Sequence, residues 1–282
     1  MKILDGKELA GFIKERQATQ VRGMKKKPKL LILRDSDNPV ITKYVNLKKQ
    51  YGQDIGVDVL DVCAGASLRR SGGWQAEKER QPPVATDRLD ALRKEIIRAN
   101  NDDTISGIIL QLPILEKDKT DEITNLIAPE KDVDGLSKTG NYDSATATAI
   151  LWLLAGYDIK LANKKIAIVG RGKLVGAPLY EFFKSSNYNV NIFHRGDDLT
   201  DLIKYDIIIT ATGVPGLISN SLVTPGAVII DAGTASEDGV LKGDLADEVR
   251  ERTDLTAITP KTGGVGPLTV SALFDHVIQA SD

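Results

Sequence analysis

Several residue types that point to a particular chemistry are scarce in this chain of 282 residues. It has one cysteine, Cys63, and two histidines, His194 and His276, which lie far apart. One thiol cannot form an internal disulfide, so the cysteine content gives no indication of secretion. Cysteine and histidine do not occur together at the spacing of metal ligands, and we expect a protein without a metal centre.

An excess of charge and a long hydrophobic run are also lacking. The formal net charge is -2 with both signs interspersed, which does not favour binding to nucleic acid. The longest apolar run, around residues 147–155, is about half of what a membrane span requires. The first residues lack the hydrophobic segment of a signal peptide. These absences predict a cytoplasmic protein without a nucleic-acid or membrane partner, and the length suffices for two domains.

A glycine-rich turn stands near the middle of the chain. Residues 165–169 are typical of a buried strand, and Gly170, Gly172 and Gly176 follow where a helix begins. Glycines at such positions let backbone N–H groups approach a phosphate at the helix N-terminus. The spacing is GxGxxxG, and three glycines alone are also compatible with a simple turn. The context must therefore decide whether a nucleotide binds here.

The next predicted strand, residues 189–193, supplies that context. In an NAD-specific site an acidic residue at the end of this strand holds the ribose 2′-hydroxyl, but this strand runs into His194 and Arg195. Arg171 and Arg195 can together hold a 2′-phosphate through charge-assisted hydrogen bonds. The alternative is that both arginines are ordinary surface residues. The pattern favours NADP over NAD.

The N-terminal half has βαβ order, with strands at 29–33 and 57–62 and a helix from Val40 to Tyr51 that Gly52 is expected to end. Tyr44 and Lys48 on this helix are four residues apart and therefore lie on one face. A tyrosine ring beside an ammonium group is an unusual pair to follow a buried strand. The alternative is an exposed lysine whose stem lies along the tyrosine.

Two further places carry polar residues in the positions that a ligand needs. Gln111 lies near the carboxyl end of a predicted strand at 107–113, where ligands gather in open α/β sheets, although a turn or capping role is equally open. Asp132 and Asp134 are two residues apart, so in an extended conformation they point the same way. Such a pair can bind a cation or an amine-rich ring, or it can belong to an ordinary turn.

Taken together and in order, the motifs resemble the methylenetetrahydrofolate dehydrogenase/cyclohydrolase family. They are spread over nearly the whole chain, and the ordered set is far more specific than any member. The matching pieces are residues 44–48, 107–113, 129–135, 169–178, 231–233, 243–244 and 263–269.

The resemblance implies an α/β fold with an N-terminal α/β catalytic domain, a Rossmann-like NADP-binding domain and a cleft between them. The expected folate-binding catalytic domain comprises residues 1–142 plus 268–282, and the NADP-binding domain comprises residues 143–267. The family also implies a homodimer and a folate substrate.

The resemblance further implies roles for individual residues. Lys48 is the expected catalytic lysine, with Gln111 as its hydrogen-bonding partner. Tyr44 is expected to stack on the folate ring system, and Asp134 to recognise the pterin N–H groups. Substrate contacts are also expected at Gly264 and Pro267. The expected cofactor-contacting residues are Gly170, Arg171, Gly172, Gly176, Arg195, Thr212, Gly213 and Thr234.

The implied reactions are oxidation of 5,10-methylenetetrahydrofolate with NADP and hydrolysis of the methenyl product to 10-formyltetrahydrofolate. Hydride loss gives a cation that two folate nitrogens stabilise, so oxidation chiefly requires positioning. Hydrolysis requires an activated water molecule, and a lysine whose pKa is lowered by burial can supply the base.

The chain departs from the family pattern in places that bear more on folate binding than on NADP binding. Ile41 replaces a serine, Ala147 a proline, Lys261 and Thr262 replace a Val-Pro pair, and Gly172 replaces a serine of the cofactor turn. Residues 64–85 form a long polar insertion. Two rival interpretations remain: a shikimate-dehydrogenase-like NADP oxidoreductase, and a non-catalytic protein that binds NADP or folate.

Overall fold

The computed structural model describes residues 1–64, 85–237 and 240–282, so the body of the predicted insertion at 64–85 lies outside the described residues. The chain packs into two compact units, Met1–Ile13 with Asp143–Ala272 and Lys14–Tyr142 with Leu273–Asp282. Each contains a parallel sheet with helices, which confirms the two-domain α/β class. Among the described residues, no helix has both the length and the apolar content that crossing a bilayer requires.

The expected domain limits, 1–142 plus 268–282 and 143–267, stay a prediction about folding domains. The packing units group residues differently in two places. They place residues 1–13 and 268–272 with the central and C-terminal part of the chain. The first helix, Gly6–Gly23, and the last helix, Val265–Gln279, each contribute residues to both units.

The unit that contains residues 14–142 is built on a sheet of three parallel strands in the order β3-β2-β4. The strands are β2 (Lys29–Arg34), β3 (Asp58–Cys63) and β4 (Gly107–Leu110). Residues 30–33 of the central strand β2 are fully buried, as a continuous apolar run in a parallel sheet predicts. In the described part of this unit, the helices besides the two shared ones are Pro39–Ile55, Ala85–Asn100 and Thr120–Thr124, with a short 3₁₀ turn at Lys117–Lys119.

The helix Pro39–Ile55 begins and ends by local rules that the sequence contains. The Asn38 side chain accepts a hydrogen bond from the Val40 amide at 2.8 Å, and Pro39 occupies the first helical position. The helix does not end at Gly52, so that prediction was wrong. It ends at Gly56, whose φ of 85° is left-handed. Gly52 instead permits close packing, because a Cβ there would lie 2.4 Å from the Val59 side chain.

The other unit is built on six parallel strands in the order β1-β11-β8-β7-β5-β6. If β5 counts as the first strand, the order 2-1-3-4-5 is doubly wound, and the topology reverses between β5 and β7. Ligands of such sheets bind outside the carboxyl ends of the strands at this point. The strands are β1 (Lys2–Ile3), β5 (Lys165–Val169), β6 (Asn189–Phe193), β7 (Ile207–Thr210), β8 (Val228–Asp231) and β11 (Ala257–Ile258).

Helices and a hairpin complete this unit. Helix Ala145–Gly156 is capped by the Ser144 hydroxyl and packs its apolar residues into the core of the sheet. Short 3₁₀ turns occupy Thr200–Lys204 and Asn220–Leu222. The remaining elements are helices Gly176–Ser185 and Asp247–Arg250 and the antiparallel strands β9 (Ala235–Glu237) and β10 (Val240–Lys242).

A buried lysine connects the 128–135 loop to the end of the helix Ala85–Asn100. The Lys131 side chain is only 9% exposed, and its Nζ donates to the carbonyl oxygens of Ala99, Asn100 and Asp102, each at 2.9 Å. Carbonyls at a helix C-terminus lack intrahelical partners and carry partial negative charge. The ammonium of Lys131 therefore satisfies them and fixes the loop that carries Asp132 and Asp134.

We expect Lys131→Met to destabilise this unit by about 1–3 kcal/mol, because it leaves buried carbonyls without a donor while keeping the aliphatic stem. Urea unfolding followed by circular dichroism measures the loss. Lys138→Met is the matched control, since Lys138 is exposed in the same segment. Equal unfolding midpoints for the two variants would contradict the role of the ammonium.

Candidate active site and nucleotide site

Lys48 and Gln111 meet at the carboxyl edge of the three-stranded sheet. Gln111 directly follows β4, and its backbone amide donates to the Leu33 carbonyl of β2 at 2.7 Å. Its side-chain Nε2 donates to the Leu112 carbonyl at 3.1 Å, which directs Oε1 away from that carbonyl. Lys48 Nζ, on the helix Pro39–Ile55, donates to this Oε1 at 2.6 Å. The pairing expected from the resemblance is therefore present as a direct hydrogen bond.

The charge state of Lys48 is coupled to Asp134 in the same unit. Burial lowers the pKa of Lys48, and the negative charge of Asp134 opposes that effect. Burial likewise raises the pKa of Asp134, while Lys48 and His276 favour its ionised form and Asp132 disfavours it. A lysine with a lowered pKa beside a carboxylate is suited to proton transfer near neutral pH.

Tyr44 lies one helical turn before Lys48, as the periodicity predicts. The Tyr44 side chain is half-buried, and burial raises the pKa of its hydroxyl, so the ring stays neutral. A neutral aromatic surface next to an amine is suited to contact with a flat heterocycle. The structure thus gathers Tyr44, Lys48, Gln111 and Asp134 in one unit.

The two carboxylates of the 128–135 loop have different environments. Asp132 is buried, and its carboxylate accepts hydrogen bonds from the backbone amides of Ser137 at 2.7 Å and Leu136 at 3.3 Å. It therefore holds the loop, in the way an aspartate often stabilises a turn. Asp134 is the carboxylate whose pKa responds to Lys48. Among the described residues, no group of three or more His, Cys, Asp or Glu side chains is arranged to hold a metal ion.

In the other unit, the glycine turn lies where the topology of the six-stranded sheet reverses. Gly170 has a φ of 102°, and a Cβ there would lie 2.7 Å from the Ala211 carbonyl oxygen. A Cβ at Gly176 would lie 1.8 Å from the Gly170 carbonyl oxygen. Both positions therefore require glycine. A Cβ at Gly172 would meet no atom within 4 Å, so packing does not require glycine at this position.

Arg171 and Arg195 follow the ends of adjacent strands, since β5 pairs with β6 and Val169 is in register with Phe193. Both arginines are exposed. The nearby carboxylate of Asp197 accepts a hydrogen bond from the His194 amide at 2.6 Å, which stabilises the turn after β6. Arg171 and Arg195 thus follow neighbouring strands at one edge of the sheet, and their role at a 2′-phosphate stays a prediction.

Thr212, Gly213 and Thr234 follow β7 and β8 at the same sheet edge. Gly213 has a φ of 68°, and a Cβ there would contact the Thr234 carbonyl oxygen at 3.5 Å. The Thr212 hydroxyl accepts from the Val214 amide at 3.1 Å. These cofactor candidates thus belong to two loops that touch each other.

Asp244 holds these loops in place, and sequence reasoning missed its role. It is fully buried, and its carboxylate accepts from the Thr210 hydroxyl at 2.5 Å, the Thr212 amide at 2.7 Å and the Val214 amide at 3.0 Å. A Cβ at Gly233 would lie 2.0 Å from Asp244 Oδ1. The Gly243-Asp244 motif was visible in sequence, but its partners lie about thirty residues away along the chain.

Asp231 supports the same arrangement from the end of β8. Its carboxylate accepts from the Asp244 amide at 3.0 Å and the Gly233 amide at 3.0 Å, and it pairs with Arg250. Burial raises the pKa of Asp231, while Arg250 and the amide donors favour its ionised form. Two buried carboxylates therefore stabilise the sheet edge at which the loops with the candidate cofactor residues lie.

The expected substrate contacts at Gly264 and Pro267 belong to the unit with the six-stranded sheet. A Cβ at Gly6 would lie 1.7 Å from the Gly264 carbonyl oxygen, so the start of the first helix packs on this loop. Pro267 lies in the first turn of the last helix.

Among the departures from the family pattern, Ile41 and Ala147 are buried in the core. Lys261 forms an exposed ion pair with Asp247 at 2.7 Å. Thr262 is exposed in the same loop as Lys261.

Comparison with known proteins agrees with this geometry. Residues 4–134 match the family model of the tetrahydrofolate dehydrogenase/cyclohydrolase catalytic domain, and residues 144–282 match its NAD(P)-binding domain. The bifunctional protein FolD of Macrococcus caseolyticus is 32% identical over 295 residues, with 99% of this chain and 97% of that protein covered.

Solved structures give the same result. The bifunctional enzyme FolD of Campylobacter jejuni, a methylenetetrahydrofolate dehydrogenase/cyclohydrolase, has a TM-score of 0.84 at 26% identity, with 100% of this chain and 98% of that chain covered. The methylenetetrahydrofolate dehydrogenase-cyclohydrolase of Trypanosoma brucei, solved in complex with NADP and an inhibitor, has a TM-score of 0.82 at 25% identity. The match covers 99% of this chain and 96% of that chain.

A doubly wound nucleotide-binding sheet, together with an α/β unit that carries a lysine, an amide and a carboxylate, defines a two-domain dehydrogenase. The two family models and the relatives specify the group. The chain belongs to the tetrahydrofolate dehydrogenase/cyclohydrolase family.

We expect Asp244→Asn to raise the KM for the nicotinamide cofactor by about fivefold to thirtyfold, which corresponds to about 1–2 kcal/mol. The amides of Thr212 and Val214 donate to different carboxylate oxygens, so in asparagine the NH2 group faces one of these two N–H groups, and the loop loses that hydrogen bond. Steady-state kinetics and direct cofactor titration measure the effect. The control is Asp247→Asn, an exposed change in the same region. A cofactor KM within twofold of the parent value would refute this role of Asp244.

Proposed function

We propose that this protein oxidises 5,10-methylenetetrahydrofolate to 5,10-methenyltetrahydrofolate with NADP and hydrolyses the product to 10-formyltetrahydrofolate. The observation that carries the proposal is the hydrogen bond between Lys48 Nζ and Gln111 Oε1, with Asp134 coupled electrostatically to the same lysine. The membership of both halves of the chain in the family supports it. The protein thereby acts in one-carbon metabolism.

The oxidation step chiefly requires two partners to be held in position. The residues named below would hold NADP, which would supply the hydride acceptor for the methylene carbon that joins two folate nitrogens. In this chain the turn Gly170–Gly176 fits a pyrophosphate, because a side chain is excluded at both ends of the turn. Arg171 and Arg195 provide the positive charge for a 2′-phosphate. Tyr44 offers its ring for stacking on the folate, and Asp134 accepts hydrogen bonds from pterin N–H groups.

The hydrolysis step requires a base and a means of moving protons. Lys48 meets this need because burial lowers the pKa of its amine, so a larger fraction is neutral near pH 7 than for an ordinary lysine. Gln111 holds the amine in place through its amide oxygen. The neutral amine can then accept a proton from water that attacks the methenyl carbon, and return it in a later step.

The rival interpretations fit the observations less well. A shikimate-dehydrogenase-like enzyme has no support from the family models that match both halves of the chain. A non-catalytic binding protein does not need a half-buried lysine hydrogen-bonded to an amide, and removing such an ammonium from water costs stability without a benefit there. We also propose that the protein is a homodimer and acts in the cytoplasm. The resemblance supports the homodimer, and the composition supports the cytoplasm.

The direct test is a spectrophotometric assay with 5,10-methylenetetrahydrofolate and either NADP or NAD, which follows NADPH and methenyl absorbance separately. The proposal expects both activities, with hydrolysis rising with pH as Lys48 loses its proton. Absence of any turnover, with NADP still bound, would favour the non-catalytic rival. Turnover of shikimate instead of the folate would favour the shikimate-dehydrogenase-like rival.

We expect Lys48→Met to reduce hydrolysis by at least about a hundredfold, since the variant lacks the only amine that contacts Gln111 Oε1 among the described residues. NADP binding should remain unchanged. The matched control is Lys49→Met, which removes an exposed neighbour on the same helix. Full hydrolysis by the Lys48 variant would remove Lys48 from the mechanism.

We expect Arg195→Asp to lower the preference for NADP over NAD by about tenfold or more, because a carboxylate repels the 2′-phosphate and can accept from a ribose hydroxyl. The ratio of kcat/KM for the two cofactors measures the effect. Arg22→Asp, an exposed change in the first helix, is the control. An unchanged ratio would exclude Arg195 from cofactor selection.

A further inference from the structure

His276, near the C-terminus, is a buried titratable residue that the proposed mechanism does not use. It lies in the last helix with 6% of its surface exposed. Its ring stacks on Tyr142, with centroids 5.0 Å apart and an interplanar angle of 27°. Its Nδ1 lies 2.8 Å from the carbonyl oxygen of Val133. Since a carbonyl only accepts, Nδ1 carries the hydrogen of the neutral ring and donates it to Val133.

The carbonyl that His276 holds belongs to the peptide that joins Val133 to Asp134. The other side of this segment is fixed by β4, because the Ile108 amide donates to the Lys131 carbonyl at 2.7 Å. Val133 is fully buried, and its side chain packs against Gly107. A Cβ at Gly107 would lie only 2.7 Å from that side chain. A peptide is planar, so fixing the Val133 carbonyl also fixes the direction in which the chain enters Asp134.

The ring also contributes to the electrostatics of this carboxylate. The charges that act on Asp134 are those of Lys48 from the helix Pro39–Ile55, Asp132 from the same loop, and His276. Tyr142, whose pKa burial raises, stacks on the His276 ring. Positive charge on His276 or Lys48 lowers the pKa of Asp134, whereas burial and Asp132 raise it. A protonated imidazole therefore keeps Asp134 ionised to lower pH.

We propose that His276 is a positioning residue for Asp134: its Nδ1–H fixes the peptide that leads into this carboxylate, and its imidazole is a group that can carry positive charge near the folate site. The inference rests on the proposed function, because the role of Asp134 in folate recognition does. It adds a residue from the end of the chain to the folate site and gives substrate binding a dependence on pH.

Nuclear magnetic resonance tests the hydrogen bond without reference to activity. The chain has only two histidines, so its imidazole ¹⁵N spectrum contains two sets of signals, and His276→Asn assigns the set that disappears. The inference expects His276 to be the Nδ1–H tautomer when neutral. An Nε2–H tautomer would refute the hydrogen bond to Val133.

Two substitutions then separate the two parts of the inference. His276→Phe keeps a ring for Tyr142 but removes the donor, and we expect the KM for the folate to rise about tenfold while the KM for NADP stays within twofold. His276→Asn keeps an N–H close to the position of Nδ1 but removes the charge. At the alkaline end of the pH profile its folate KM should therefore be closer to the parent value than the folate KM of His276→Phe.

The pH profile provides the second readout. Without positive charge at position 276 the pKa of Asp134 rises, so the carboxylate becomes protonated at higher pH. The acid limb of kcat/KM for the folate should therefore move to higher pH in His276→Asn. His194→Asn, which changes the exposed second histidine in the other unit, should keep the parent profile.

The outcomes separate this inference from the function on which it rests. If the parent enzyme turns over the folate and both His276 variants keep its folate KM and its pH profile, the inference is wrong and the function stands. If the parent enzyme shows no turnover, the function is wrong, and the tautomer still reports on the hydrogen bond. If His276→Phe does not fold, the tautomer and the profile of His276→Asn decide.

Discussion

The structure of the candidate active site depends on one partly desolvated amine, the side-chain amine of Lys48. Lys48 is half-buried at the carboxyl edge of a parallel sheet and donates to an uncharged amide oxygen, that of Gln111. An amide oxygen stabilises an ammonium less than a carboxylate in direct contact does, so burial can lower the pKa of the lysine. Asp134 acts in the opposite direction and keeps the shift from being larger.

The surrounding structure holds these groups with other buried charges. Lys131 ties the 128–135 loop to carbonyls at a helix end, and Asp132 binds the loop amides from inside. In the other unit Asp244 and Asp231 do the same for the loops after β7 and β8. A buried charge is expensive unless it is hydrogen-bonded, so each of these groups fixes the backbone that satisfies it. Both candidate sites thus rest on loops whose shapes are set by fully bonded charges.

Much of this could be predicted from local pattern. The apolar run of β2, the helical spacing of Tyr44 and Lys48, and the glycines at 170 and 176 each follow from the sequence within a few residues, and the structure confirms the elements they predict. The end of the second helix could not be predicted in the same way. Gly52 and Gly56 are both plausible terminators, and only the close approach of Val59 shows that the first is a packing position.

The supporting residues were harder to predict because their partners are distant in sequence. His276 bonds to a carbonyl 143 residues away, and Asp244 bonds to a loop about thirty residues before it. No local pattern shows such a contact. The family resemblance indicated which residues act on substrate, but the residues that hold them became visible only once the sheets had placed the loops together.

The most direct test of this account is the titration of the Lys48 amine itself. Nuclear magnetic resonance of ¹³C-methylated lysines, with the Lys48 signal identified by its absence in Lys48→Met, measures the pKa of that amine in the folded protein. The account predicts a value clearly below the ordinary lysine value of about 10.4, and a further fall on Asp134→Asn because an opposing charge is lost. An ordinary pKa that does not respond to Asp134 would contradict it.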